Sequence, residues 1–113
     1  MTTSDERSVP AHLDASSDVV AAAEVFKALA NPLRVQLLLH LDEPRTVSQL
    51  VASVGATQPL ISQHLRVLRT SGLVTVTRRG REAYYVTADE HVGHVVHDAV
   101  AHAGEPAGPD MQR

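Results

Sequence analysis

Four residues near the carboxyl end, Asp89, His91, His102 and Glu105, read as D-x-H-x10-H-x2-E. Two imidazoles and two carboxylates form a donor set suited to a divalent cation. On a helix, at about 1.5 Å and 100° per residue, His91 and His102 stand roughly 16 Å apart along the axis yet within about 20° in azimuth. They share an edge but cannot share an ion, because zinc holds its ligands at about 2.0–2.2 Å. A single site from all four needs a second copy of the helix running antiparallel, so that Asp89 and His91 of one chain meet His102 and Glu105 of the other. That arrangement makes a homodimer with two symmetry-related sites.

The element that must carry these residues spans 87–105, TADEHVGHVVHDAVAHAGE. Val92, Val95, Val96, Ala99, Val100 and Ala103 recur at i, i+3, i+4, i+7, i+8 and i+11, one apolar stripe suited to burial against a core or a partner helix. His91, His102 and Glu105 lie along one flank of it, while His94 and His97 fall on the far, solvated side. Asp89 is off that flank and belongs to the non-helical entry to the first turn. Asp98, four residues before His102, either orients that imidazole or competes as a ligand. A solvated His-rich face would use the same residue types. A zinc hydrolase could use His102 and Glu105 with a water in the fourth position, but the fourfold protein ligand set closes the shell.

The chain has 113 residues, no cysteine, no tryptophan, one phenylalanine and two tyrosines. One domain over 16–105 is predicted, between a flexible arm at 1–15 and a flexible tail at 106–113. Without thiols there is no disulfide framework and no thiolate metal site, which leaves Zn(II), Co(II) or Ni(II) as suitable ions. The amino end lacks a basic, apolar signal pattern and no apolar run reaches membrane-spanning length, so a cytoplasmic location with no membrane partner is expected.

Charge is unevenly placed. Residues 57–86 hold Arg66, Arg69, Arg78, Arg79 and Arg81 against Glu82, a balance of +4, which leaves −7 on the rest of a chain whose net charge is −3. One surface is thus suited to a polyanion although the whole chain is acidic.

The preceding elements position that surface. Val19, Ala22, Ala23, Phe26 and Leu29 predict a helix over 17–30. Asn31-Pro32 opens a second, with Asn31 as N-cap and Pro32 at the first position, running to about Leu41. Thr46 and Gln49 form a capping box for a short third helix that ends near Gly55. Thr57 caps a fourth, to about Ser71, with Gly72 as its stop. Two short helices joined by a tight turn make a helix-turn-helix. In the fourth helix Ile61, Leu65 and Leu68 face inward, while Gln58, Pro59, Leu60, Ser62, Gln63 and Arg66 occupy its amino-terminal half or outer surface. Such a half enters the major groove of double-stranded DNA, where Gln and Ser read base edges and Leu60 meets a thymine methyl. Strands at 73–77 and 83–87 then flank Arg78-Arg79-Gly80-Arg81, a basic hairpin tip suited to phosphate or minor-groove contact.

With these residues in place, the chain resembles the ArsR/SmtB family of dimeric metal-responsive repressors, especially its zinc-sensing branch. The likeness covers about residues 17–105: FKALANPLRVQLLLHL, ATQPLISQHLRVLRTSGLV, RRGREAYYV and the last helix. The resemblance implies a mainly α winged helix-turn-helix of five helices and a two-stranded wing, dimerising through its N- and C-terminal helices. It implies Asp89 and His91 as ligands from one chain, with His102 and Glu105 from the partner. It further implies a dimer that binds a palindromic operator and releases it on taking up Zn(II), with Ni(II) or Co(II) as alternative effectors. The cysteines of the family's other common sensor site are missing here, which argues against arsenic, cadmium or lead. Some nickel and cobalt sensors recruit histidines of the arm, where this chain offers only His12. A metal-independent winged-helix regulator is the rival reading.

Overall fold

The computed structural model describes residues 16–106. The expected arm, His12 within it, and the tail beyond Pro106 lie outside the described residues. In chain order the elements are α1 (Ser17–Leu29), α2 (Pro32–His40), α3 (Val47–Val54), α4 (Gln58–Thr70), β1 (Val74–Arg79), β2 (Glu82–Thr87) and α5 (Glu90–Ala103).

The helix starts follow from local chemistry. Asn31 Oδ1 accepts from the amides of Leu33 at 3.0 Å and Arg34 at 3.1 Å, directly before Pro32, whose missing N–H is one the first turn would leave unused anyway. Thr46 and Gln49 complete the capping box: the Gln49 amide donates to Thr46 Oγ1 at 3.2 Å and the Thr46 amide to Gln49 Oε1 at 2.9 Å. Thr57 Oγ1 caps α4 through the Leu60 amide. The chain leaves α4 through Gly72 at φ +77°, a left-handed position that favours glycine.

Leu37, Leu38, Leu41, Leu50, Ile61, Leu65 and Leu68 are fully enclosed, joined at the edge by Leu73, Val74 and Val96. The core thus lies between α2, α3 and α4, closed on one side by the root of the hairpin and on another by α5. The inward set expected for α4 is the one observed. By contrast, much of the α1 stripe does not reach its own core: Val19 is well exposed and Phe26 is 61% exposed, and only Ala28 is buried, with Val25 and Leu29 partly so.

The hairpin corrects the sequence reading. Val74 pairs with Thr87, and the register runs on through Arg78 with Ala83 to Arg79 with Glu82. Arg78 and Arg79 are therefore strand residues rather than loop residues, and only Gly80 and Arg81 make the turn. The reason is local: Tyr84, Tyr85 and Val86 favour a long ladder, and Gly80 at φ +64° allows a two-residue connection. The sequence reading also missed a partner on the outer edge of β2. Arg45 and Tyr85 exchange both backbone hydrogen bonds, at 2.9 and 2.8 Å, as an isolated bridge that ties the segment before α3 to β2.

Candidate metal centre and DNA-reading surface

α5 begins where Asp89 caps it. The backbone there is extended, and Asp89 Oδ1 accepts from the Val92 amide at 3.1 Å. This is the non-helical entry expected for that residue. The same oxygen lies 3.7 Å from His91 Nδ1. At the other end, His102 Nδ1 lies 3.6 Å from Glu105 Oε1. Glu105 is kept close because its amide continues the last turn, donating to the His102 carbonyl at 3.1 Å. The four side chains thus stand as two pairs, one at each end of a 14-residue helix.

All four are open to solvent, with His91 93% and His102 86% exposed. Among the described residues no three His, Asp or Glu side chains converge on a point that could hold an ion. Each end supplies two donors, half of what a tetrahedral ion takes. The donor chemistry fits Zn(II), Co(II) or Ni(II): imidazole nitrogen and carboxylate oxygen, with no thiolate. Asp89 can cap and coordinate together, since a carboxylate offers about four lone-pair positions. Asp98 is exposed and makes no ion pair among the described residues, whereas His102 stands beside Glu105. His94 and His97 line another recess, of about 450 Å³, with Asp42, Thr87 and Glu90; Asp89 borders it too, whereas His91, His102 and Glu105 do not.

The apolar stripe of α5 is only partly used by its own chain. Val96 is buried and Val92 half-buried, but Val95 and Val100 are exposed, as are Ala99 and Ala103. Phe26, Leu29, Val35, Val95, Val96 and Ala99 line an almost wholly apolar cleft of about 150 Å³ between α1 and α5. A second cleft of about 250 Å³ brings Asp89 and His91 to the end of α4, where Ser71, Gly72 and Leu73 form its other wall.

In α4, Gln58, Pro59, Leu60, Ser62, Gln63 and Arg66 are all exposed. Their presentation follows from the burial of Ile61, Leu65 and Leu68 on the other side of the same helix. In the hairpin, Arg78, Arg79 and Arg81 are exposed, and the Arg79 guanidinium sits 4.8 Å above the Tyr84 ring. That stacking holds one wing cation in place at a cost of little further ordering. Strand alternation puts Arg78 on the other face of the hairpin from Arg79. Sequence reasoning did not single out Arg34 or Arg45. Arg34 bridges α1 and α4, and the side chain of Arg45 donates to the His40 carbonyl at 3.0 Å. No spacing rule marks such contacts: Arg34 meets His64 only once segments 30 residues apart pack, and Arg45 reaches back five residues to the end of α2 through an irregular turn.

A helix-turn-helix whose second helix is exposed and polar, followed directly by a basic hairpin, defines a winged-helix DNA-binding module. The profile of the bacterial regulatory protein, arsR family, matches residues 31–76. The HTH-type transcriptional repressor SmtB of Mycobacterium tuberculosis is 51% identical over 88 residues, covering 77% of this chain and 65% of its own length. The HTH-type transcriptional regulator KmtR of the same organism is 43% identical over 96 residues, covering 84% of this chain and 73% of its own. Among solved structures, the homodimeric winged helix-turn-helix DNA-binding domain Mb0332 of Mycobacterium bovis superposes with a TM-score of 0.74 at 27% identity, covering 100% of this chain and 99% of that one. This chain belongs to the ArsR/SmtB family of bacterial regulatory proteins. It spans 65% of the length of the SmtB repressor it matches. These relatives are regulators and not enzymes, which sets aside the hydrolase reading of His102 and Glu105. Among the described residues no helix is long and apolar enough to cross a membrane.

Proposed function

We propose that the protein is a metal-responsive transcriptional repressor: its homodimer binds a palindromic operator, and Zn(II), held between the α5 helices of two chains, causes release. The observation that carries this reading is the division of the four donors into Asp89 with His91 at one end of α5 and His102 with Glu105 at the other, beside an exposed apolar stripe. Antiparallel pairing of two such helices would bring each half-set to its complement. The exposed valines of α5 and the exposed Phe26 of α1 would supply the contact, so both terminal helices take part.

When bound, Zn(II) would supply a fourfold link between chains and so favour one dimer geometry. The chain's own residues do the rest. Asp89 and His91 border the cleft that ends at Ser71 and Gly72, so a change in their position bears on the carboxyl end of the DNA-reading helix within the same chain. His102 of the same chain sits at the far end of α5, so the partner's copy is the one placed to act at that cleft. Gln58, Leu60, Ser62 and Gln63 read bases, while Arg66, Arg78, Arg79 and Arg81 meet phosphate or the minor groove. Repression follows from exclusion of the polymerase at the operator.

The test is a fluorescence-anisotropy titration of the duplex that the protein selects from a randomised pool, with EDTA and then with Zn(II). A coupling of about 1–3 kcal/mol, or roughly 5–150-fold weaker binding with metal, is the expected result. Equal affinity in both conditions would favour the metal-independent regulator. Co(II) and Ni(II) in the same assay rank the effectors, and the Co(II) absorption spectrum reports four- or six-fold coordination.

The wing makes a separate prediction. Arg78→Ala or Arg81→Ala should weaken binding to all sequences alike and lower the slope of log affinity against log salt by about 0.9 each. Gln63→Ala should instead relax discrimination at one base position, at about 1–3 kcal/mol. A wing variant that changes which sequences are selected would refute this division of labour.

A further inference from the structure

Among the described residues, Arg34 hydrogen-bonds to both the end of α1 and the DNA-reading helix. Its Nε donates to the Ala28 carbonyl. Its Nη1 lies 3.2 Å from His64 Nδ1 in α4. The first contact answers a need of α1, because the last carbonyls of a helix lack internal partners. Around it, the Lys27 carbonyl accepts from the Ala30 amide and the Leu29 carbonyl from the Asn31 amide, so the guanidinium fills the gap between them. A cation at that end also complements the helix dipole.

The second contact fixes a tautomer. Guanidinium has donors only, so His64 Nδ1 must accept and the ring proton must lie on Nε2. Partial burial, and then the nearby Arg34 charge, push the His64 pKa below its ordinary value, which agrees with an unprotonated Nδ1. His64 lies between Gln63, which faces outward, and Leu65, which is enclosed in the core. It is thus placed on the margin between the packed and the DNA-facing sides of α4.

We propose that Arg34 is a positioning residue for the DNA-reading helix, fastening the carboxyl end of α1 to α4 through His64 Nδ1. This rests on the DNA-binding dimer reading. There, α1 offers Phe26 and Val20 to a partner chain while α4 must meet a half-site at fixed spacing. A rigid planar fork spanning the two helices sets one relative to the other, whereas a lysine at the same place has a single charged point to offer. Arg34 therefore carries dimer geometry to the reading surface without touching DNA.

The decisive comparison is at the acceptor. His64→Gln keeps an oxygen that can accept from Arg34, and His64→Leu keeps the bulk but no acceptor. Each variant, with Arg34→Gln and Arg34→Lys, is titrated with the duplex selected by the wild type and with a duplex of random sequence. His64→Gln should keep the selected-to-random affinity ratio within about twofold, while His64→Leu and Arg34→Gln should lose about tenfold or more, the worth of a hydrogen bond to a charged group. Arg34→Lys should fall between them. In the wild type, nitrogen NMR of His64 should show a bare Nδ1 and a protonated Nε2. A protonated Nδ1, or a wild-type ratio in folded His64→Leu, overturns the proposal. If the wild type itself selects no duplex, the DNA-binding reading fails first and this inference with it.

Discussion

In His102→Gln, binding of the selected duplex without metal stays at its wild-type level, and the difference between EDTA and Zn(II) collapses from the 5–150-fold range to about one. The first half follows from position: the side chain is almost fully exposed and makes no contact with the buried core, so neither the fold nor the reading helix depends on it. The second half follows from donor chemistry, since a carboxamide oxygen is a far weaker ligand for zinc than imidazole. His94→Gln is the matched control: His94 pairs with neither Asp89 nor Glu105, although Asp89 borders the recess it lines, and the substitution should leave the metal response intact. Should His102→Gln still release DNA at the wild-type zinc concentration, the ligand assignment is wrong.

Val95→Glu has a different and larger reach, because it strikes the face that two chains would share. Val95 is 41% exposed beside buried Val96, so a carboxylate there meets water in a single chain but an apolar surface in a dimer. The variant should be a folded monomer by sedimentation, with wild-type helical circular dichroism. Its affinity for the selected duplex should fall by about 10²–10⁴, the gain that two linked half-sites provide. Zinc release should vanish with it, since each half-set of donors has lost its complement. Val96→Glu, one residue along, should instead unfold the chain, for that side chain is 2% exposed. A dimeric Val95→Glu protein would move the interface elsewhere.

The readable parts of this fold were those governed by neighbours in the chain. The capping box at Thr46 and Gln49, the Asn31-Pro32 start and the inward triad of α4 depend on residues three or four apart, and each stands where the spacing puts it. The hairpin was read too short because loop composition hid the strand: Arg78 and Arg79 look like turn residues, yet register and a two-residue connection decide their place. The Arg45 bridge to Tyr85 and the Arg34 fork were beyond reach, because they join residues 40 and 30 positions apart. At the candidate metal centre, the pairing of donors within each end was implicit in the helical spacing. The closeness of Asp89 and His91 to Ser71 and Gly72 was not, as it needs the packing of α5 on α2 and β2, which sets its first turn across a cleft from the end of α4.

The exposure of all four donors has an evolutionary consequence. Substitutions at exposed positions away from caps and partners usually change stability by less than about 0.5 kcal/mol. His91, His102 and Glu105 can therefore be exchanged with the fold left standing, and a lineage could try other ions on the same scaffold without first acquiring stabilising changes. Asp89 is the exception, because it also caps α5. Replacements there are confined to Asn, Ser, Thr or Gly if the helix start is to survive, so across descendants of this chain drift at that position should be narrower than at the other three.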